Sequence, residues 1–186
     1  MQLWTITSAD SGTVLAACFP TSSAGSHPKD SGWAWVTGEQ KAWRIDAAPD
    51  LACERWSGAG WEPDLGALRA LRWSEVKTVR DEAEGNGCAT PLGRVDTDPA
   101  SQVRIAGAVQ MAMLSQVADE PFSIAWTMQD NTIVEHDAEA MITLGLAVGL
   151  HVRACHDAGR VKREQLEIAS DPSAIAAVDL SSDWPA

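Results

Sequence analysis

The sequence predicts an α+β fold, with a small N-terminal antiparallel β module followed by a three-helix domain with two short β-hairpins. Three observations predict it. Seven of the nine tryptophans lie at or before Trp73, with two Phe and no Tyr in the chain. That early region breaks into short alternating runs with turn signals between them, the pattern of strands. From Asp64 onward apolar residues recur at helical spacing behind aspartates placed as helix caps. The expected organisation is a Trp-rich β module over 1–62, a helical domain with two hairpins over 63–169, and an extended C-terminal tail over 170–186.

Gln2–Thr7 alternates and is rich in β-formers, and Ser8–Gly12 turns it toward a second strand over Thr13–Phe19. Residues 20–32 are rich in Ser, Gly and Pro and read as a loop. Trp33–Thr37 and Lys41–Asp46 flank Gly38-Glu39-Gln40 and read as another hairpin. Ala52–Trp56 and Trp61 flank Ser57–Gly60. A sheet this small has little core, so flat indole rings are useful covers.

Pro63-Asp64 starts the first helix, with Leu65, Leu68, Val76, Val79 and Ala83 at helical spacing, and Gly85-Asn86-Gly87 ends it. Cys88–Thr90 and Arg94–Thr97 flank the turn Pro91-Leu92-Gly93. Asp98-Pro99 places a capping carboxylate before a proline at the first helical position. Val103, Ala106, Val109, Ala112, Met113 and Val117 are expected to form that helix's apolar face, and Asp119-Glu120-Pro121 stops it. Phe122, Ile124 and Trp126 alternate as one strand face, Gln129-Asp130-Asn131 turns the chain, and Thr132–Val134 returns it. Asp137 caps a last helix reaching Ile168, its apolar first half buried and its charged second half projecting. The residues at 141, 148, 155 and 162 are Met, Val, Cys and Lys, so no heptad seam is sustained there.

A chain of 186 residues, 45% apolar, has the composition of a folded protein. Its net charge of −12 opposes phosphate backbones, so no nucleic-acid partner is expected. The acid is uneven: residues 98–186 hold 13 Asp and Glu against 5 Lys and Arg, residues 1–62 hold 7 against 4. Four dispersed cysteines without a Cys-x-x-Cys pair read as buried thiols in a reducing compartment. No signal peptide is expected. The apolar run Met141–Val152 is too short and too interrupted for membrane insertion.

With these residues placed, Leu71–Ile168 resembles a phage domain of unknown function (family 4376) found in tail-fibre and tail-associated proteins. The matching pieces are Trp73-x-x-Val76-x-x-x-Arg80-Asp81-Glu82, then Gly93-Arg94-Val95-Asp96-Thr97-Asp98-Pro99-Ala100-Ser101-Gln102. Ile105-Ala106-Gly107-Ala108, Trp126-Thr127 with Asp130-Asn131, and Leu144-Gly145-Leu146-Ala147 complete them. The resemblance implies a virion-tail protein, made in the host cytoplasm, whose partners are other phage tail proteins of the fibre or baseplate. It also implies a homo-oligomer, a trimer by the habit of fibres. It supplies no catalytic residue.

The polar constellations have structural explanations. Asp96-Thr97-Asp98 lacks the bend glycine and later glutamate of a calcium loop, and Asp98 is accounted for as a cap. Glu135, His136 and Asp137 alternate across a strand and do not converge. His151 and His156 lie five apart, unlike the i, i+4 pair of a zinc helix. No nucleophile elbow or phosphate-binding loop is present. Catalytic residues, cofactors and metals are therefore none. Two candidate surfaces remain. Met141, Leu144, Gly145, Val148, Gly149 and Val152 form a helix-packing seam, within the subunit or across an interface. Trp33, Trp35 and Trp43 cover a thin core, dock a partner protein or stack on a host-surface glycan. The expected function is a non-enzymatic tail structural protein working through protein–protein contacts. A tail-fibre assembly chaperone and a glycan-binding module are the alternatives.

Overall fold

The structure, a computed structural model, describes residues 1–21, 27, 28, 31, 33–35 and 37–185. It divides into two units, Met1–Ala70 with Ser170–Pro172 and Leu71–Ala169 with Ser173–Ala186. Helices and small antiparallel sheets together make the fold α+β.

In the first unit β1 (Gln2–Ser8), β2 (Val14–Thr21) and β3 (Gln40–Ile45) form an antiparallel sheet in the order β2-β1-β3. β1 is central, and Thr5, Ile6 and Thr7 are buried on it. Their burial requires partners for two hydroxyls. Trp61 Nε1 donates to Thr5 Oγ1 at 2.7 Å and Trp43 Nε1 to Thr7 Oγ1 at 3.1 Å. Trp61 lies on a hairpin of β4 (Glu54–Trp56) and β5 (Trp61–Pro63). Trp56 sits between, its ring 5.5 Å from Trp43 and 5.8 Å from Trp61.

One expected hairpin is corrected. Residues 33–35 are not in a strand and Thr37 lies in a turn, while Val36 is outside the described residues. β3 pairs with β1 instead, from Leu3 opposite Ile45 to Ser8 opposite Gln40. A six-residue register on a central strand satisfies more backbone than a short local hairpin would. The expected loop over 20–32 begins later, since Pro20 and Thr21 belong to β2, and most of it lies outside the described residues.

The other elements are α1 (Leu65–Gly85), the hairpin β6 (Cys88–Thr90) and β7 (Gly93–Val95), α2 (Pro99–Ala118), the hairpin β8 (Ser123–Thr127) and β9 (Ile133–Asp137), α3 (Ala138–Ile168) and the short α4 (Pro172–Ala176). All three expected aspartates cap. Asp64 accepts from the amides of Gly66 and Ala67, Asp98 from Ala100 and Ser101, and Asp137 from Ala140. Asp119, left-handed at φ 56°, closes α2 through the carbonyls of Ser115 and Gln116. The core of the second unit joins Cys88 and Val95 of the first hairpin, Ile105, Ala108 and Ala112 of α2, and Met141, Leu144 and Val148 of α3. Phe122, Ile124 and Trp126 pack against it.

The C-terminal segment is not an extended tail. Ile175 within α4 and Val178 beyond it are buried. Arg72 Nη2 donates to Val178 O at 2.7 Å, and Lys162 Nζ donates to Asp179 O at 2.8 Å, 5.3 Å from the Trp184 ring centre. The second half of α3 consequently does not simply project, because Gly159, Lys162 and Leu166 are buried on its inner side. The apolar residues responsible are sparse among Ser, Asp and Ala, so no periodicity announces them. α3 as a whole is long and apolar enough to cross a membrane by length and composition. Here, however, Met141, Leu144, Val148 and Cys155 on one stripe of it are core residues.

Candidate functional site

The motif Gly93–Gln102 holds α1, the first hairpin and α2 together through one buried hydroxyl. Thr97 is fully buried; its Oγ1 accepts from Gly87 N at 2.9 Å and donates to Glu84 O at 2.5 Å. Gln102 Nε2 donates to Thr97 O at 2.8 Å and to Glu84 Oε1 at 3.1 Å. Arg94 Nε donates to Gln129 Oε1 at 3.1 Å, and its Nη2 to Gly87 O at 3.0 Å, which ties in the second hairpin. Gly87 is left-handed at φ 82°, and a Cβ there would collide with the Gln129 amide and lie 2.8 Å from Val95 O. Only glycine fits both conditions. The polar residues of this motif therefore satisfy backbone at three element ends.

The other polar groups are arranged likewise. His136 Nδ1 lies 2.9 Å from Val134 O, and Glu135 accepts from Ser123 at 2.8 Å, on opposite faces of β9. His151 Nε2 sits 3.2 Å from Ala83 O and 3.8 Å from Cys155 Sγ. Burial, then the charge of Glu84, pushes the Cys155 thiol up, away from the thiolate a nucleophile requires. His156 pairs instead with Glu84 at 3.3 Å. Among the described residues no group of three His, Cys, Asp or Glu is placed to hold a metal ion.

One cap and one turn respond to acid. Bonds from the Ser101 hydroxyl and amide hold the Asp98 carboxyl below its ordinary value, and the Thr132 hydroxyl and amide do the same for Asp130. A carboxyl depressed on folding stabilises the fold above its unfolded value, and that stabilisation is lost as pH falls through the folded one. Stability is therefore expected to decline from about pH 4 downward. Asp98→Ala should flatten part of that slope, as read from urea midpoints between neutral pH and the acid limb.

The three tryptophans do not form one platform. Trp33 packs edge-on to Phe19, 5.4 Å between centres, and donates to Gln40 Oε1 at 2.9 Å. Trp35 packs on His27 at 4.5 Å, and Trp43 belongs with Trp56. Among the described residues no ring contact joins Trp43 to the other two.

The helix seam is brought together, with its residues divided. Met141, Leu144 and Val148 face the core. Gly145 faces α2, where a Cβ would collide with Val109 Cγ2, so glycine there permits close helix approach. Gly149 and Val152 line a groove between α2 and α3 of about 490 Å³, with Ala106, Val109, Gln110 and Met113 opposite. A Cβ on Gly149 would meet nothing within 4 Å. The sequence reading of α2's face is corrected here. Ile105, Ala108 and Ala112 point inward, whereas Val103 is 72%, Met113 53% and Val117 87% exposed. Arg104 is the only charged residue of α2, so periodicity did not distinguish its inner from its outer side.

The model of a domain of unknown function (DUF4376) matches residues 67–182, which takes in the Thr97 motif, α2, α3 and the groove. The chain belongs to this family. Comparison with the curated proteins and with the solved structures gives no match. The DUF4376 match thus extends through α4 to the returning C-terminal segment, and begins within α1.

Proposed function

We propose that this DUF4376 protein is a non-enzymatic bacteriophage tail protein, part of or attached to the fibre or baseplate, that works through protein–protein contacts. The observation carrying the contact role is the outer side of α2 with its groove against α3. Val103, Met113, Leu114 and Val117 are exposed there without an acidic residue between them. A helix apolar on both sides belongs between two partners, and α3 covers one side. The polar motifs support the same reading, since Asp98, Asp130 and Asp137 accept in caps and a turn while Thr97, Arg94 and Gln102 satisfy backbone groups. The tail placement rests on the resemblance of the ordered motifs over 71–168 to a domain of tail-fibre and tail-associated proteins.

Mass spectrometry of purified particles from a phage encoding the chain tests the placement. The protein is expected in stoichiometric amount with fibre or baseplate proteins. Absence from the particle, with fibres failing to assemble when the gene is deleted, would replace this reading by that of an assembly chaperone.

A further inference from the structure

The outer side of α2 is self-complementary, and we infer that it pairs antiparallel with α2 of a second copy of this chain across a two-fold axis at Gln110. The inference rests on the contact-protein reading and names the partner of that same face. Val103, Gln110 and Val117 are spaced by seven, so they form one nearly straight stripe along the helix. Ala106 and Met113 flank it on the side toward α3, Gly107 and Leu114 on the other. A two-fold axis at Gln110 sets Val103 against Val117 of the second copy, Ala106 against Met113, and Gly107 against Leu114. Each small residue meets a large one, and each Gln110 amide meets its equal, able both to donate and to accept. A parallel pair would instead set Met113 against Leu114 and Ala106 against Gly107 of the second copy, large facing large and small facing small.

Charge and area agree with this partner. The chain carries −12 overall, yet the stripe and its flanks hold no acid to repel a copy. Arg104, exposed at the rim, would lie beside the C-terminal end of the second α2, where carbonyls, Asp119 and Glu120 attract it. Val103, Met113, Leu114 and Val117, with exposed Leu146 and Leu150 on α3, present six large apolar side chains per copy. At roughly 100 Å² each they supply about 600 Å² per partner, the lower end of the range for stable interfaces. The groove receives the incoming Met113, and the bare Gly149 keeps its wall open.

The test uses the full chain. Sedimentation equilibrium at micromolar concentration is expected to give a dimer. Gly149→Leu, whose Cβ meets nothing within 4 Å and whose side chain would occupy the groove, should weaken association by about tenfold or more while preserving the circular dichroism spectrum. Met113→Lys should do the same from the other helix, and serves if the first variant misfolds. In a Cys18→Ser, Cys53→Ser background, Gln110→Cys should cross-link to itself on oxidation. Val103→Cys should not cross-link to itself, but should cross-link to Val117→Cys when the two are mixed. A monomer, a trimer, or self-cross-linking by Val103→Cys as efficient as by Gln110→Cys would overturn the inference. A monomer found in particles would leave the tail reading standing, and a dimer absent from them would remove the placement alone.

Discussion

Leu144→Ala is expected to lower the unfolding free energy by about 2–5 kcal/mol, the range for truncating a leucine in a closed core. Leu144 is 1% exposed, on the α3 stripe that meets both α2 and the first hairpin. Truncation removes apolar transfer energy and leaves a void whose walls belong to three elements, so little of it can close by a local shift. Leu146, two residues further along the same helix, is 63% exposed. Leu146→Ala in dilute, monomeric protein should stay within about 0.5 kcal/mol of the parent. Urea denaturation of both variants, fitted with a common slope, measures the difference. Equal costs at the two positions would mean that the core has been assigned to the wrong face of α3.

Thr97→Val should cost about 2–4 kcal/mol, although it keeps the shape and the β-branch of the side chain. The hydroxyl is replaced by a methyl, so the buried amide of Gly87 and the carbonyl of Glu84 both lose their partner. A buried polar group left unpaired costs about 1–3 kcal/mol. Thr97→Ser retains the hydroxyl and should recover most of the loss, short of one methyl contact. Thermal unfolding of the three proteins discriminates the two components. If valine proves as stable as threonine, the hydroxyl does not hold α1 to the motif.

These two positions differ in how far the sequence announced them. Leu144 was legible because its stripe recurs at helical spacing and α3 has a clear cap at Asp137. Helix starts at Asp64 and Asp98 were legible for the same reason, and turns such as Gln129-Asp130-Asn131 because their residue types suit the backbone there. Thr97 reads from the sequence only as the end of the strand Arg94–Thr97, whereas that strand ends at Val95, and its partners Glu84 and Gly87 are brought to it only by the path between α1 and α2. The outward side of α2 is hidden by its own composition: apolar residues on nearly every side give no phase, so Val103, Met113 and Val117 resemble core positions in the sequence. The pairing of β3 with β1 has no local signal in the sequence, because the nearer run at Trp33 offers a local alternative. The C-terminal return leaves no periodicity in the sequence, because a few aliphatic side chains and one tryptophan carry it.

The distribution of cysteines turns the second unit into its own reporter. Only two of the four cysteines are buried as expected: Cys18 is exposed and Cys53 half-buried, whereas Cys88 and Cys155 are buried there, one on the hairpin and one on α3. Burial pushes both of these thiols above their ordinary value. A maleimide added to the native protein should label Cys18 and Cys53 first and wait at Cys88 and Cys155 for the unit to open. The slow phase then counts openings without any probe being introduced. Its rate should rise together at Cys88 and Cys155 if hairpin and helix come apart as one body, and separately if they do not.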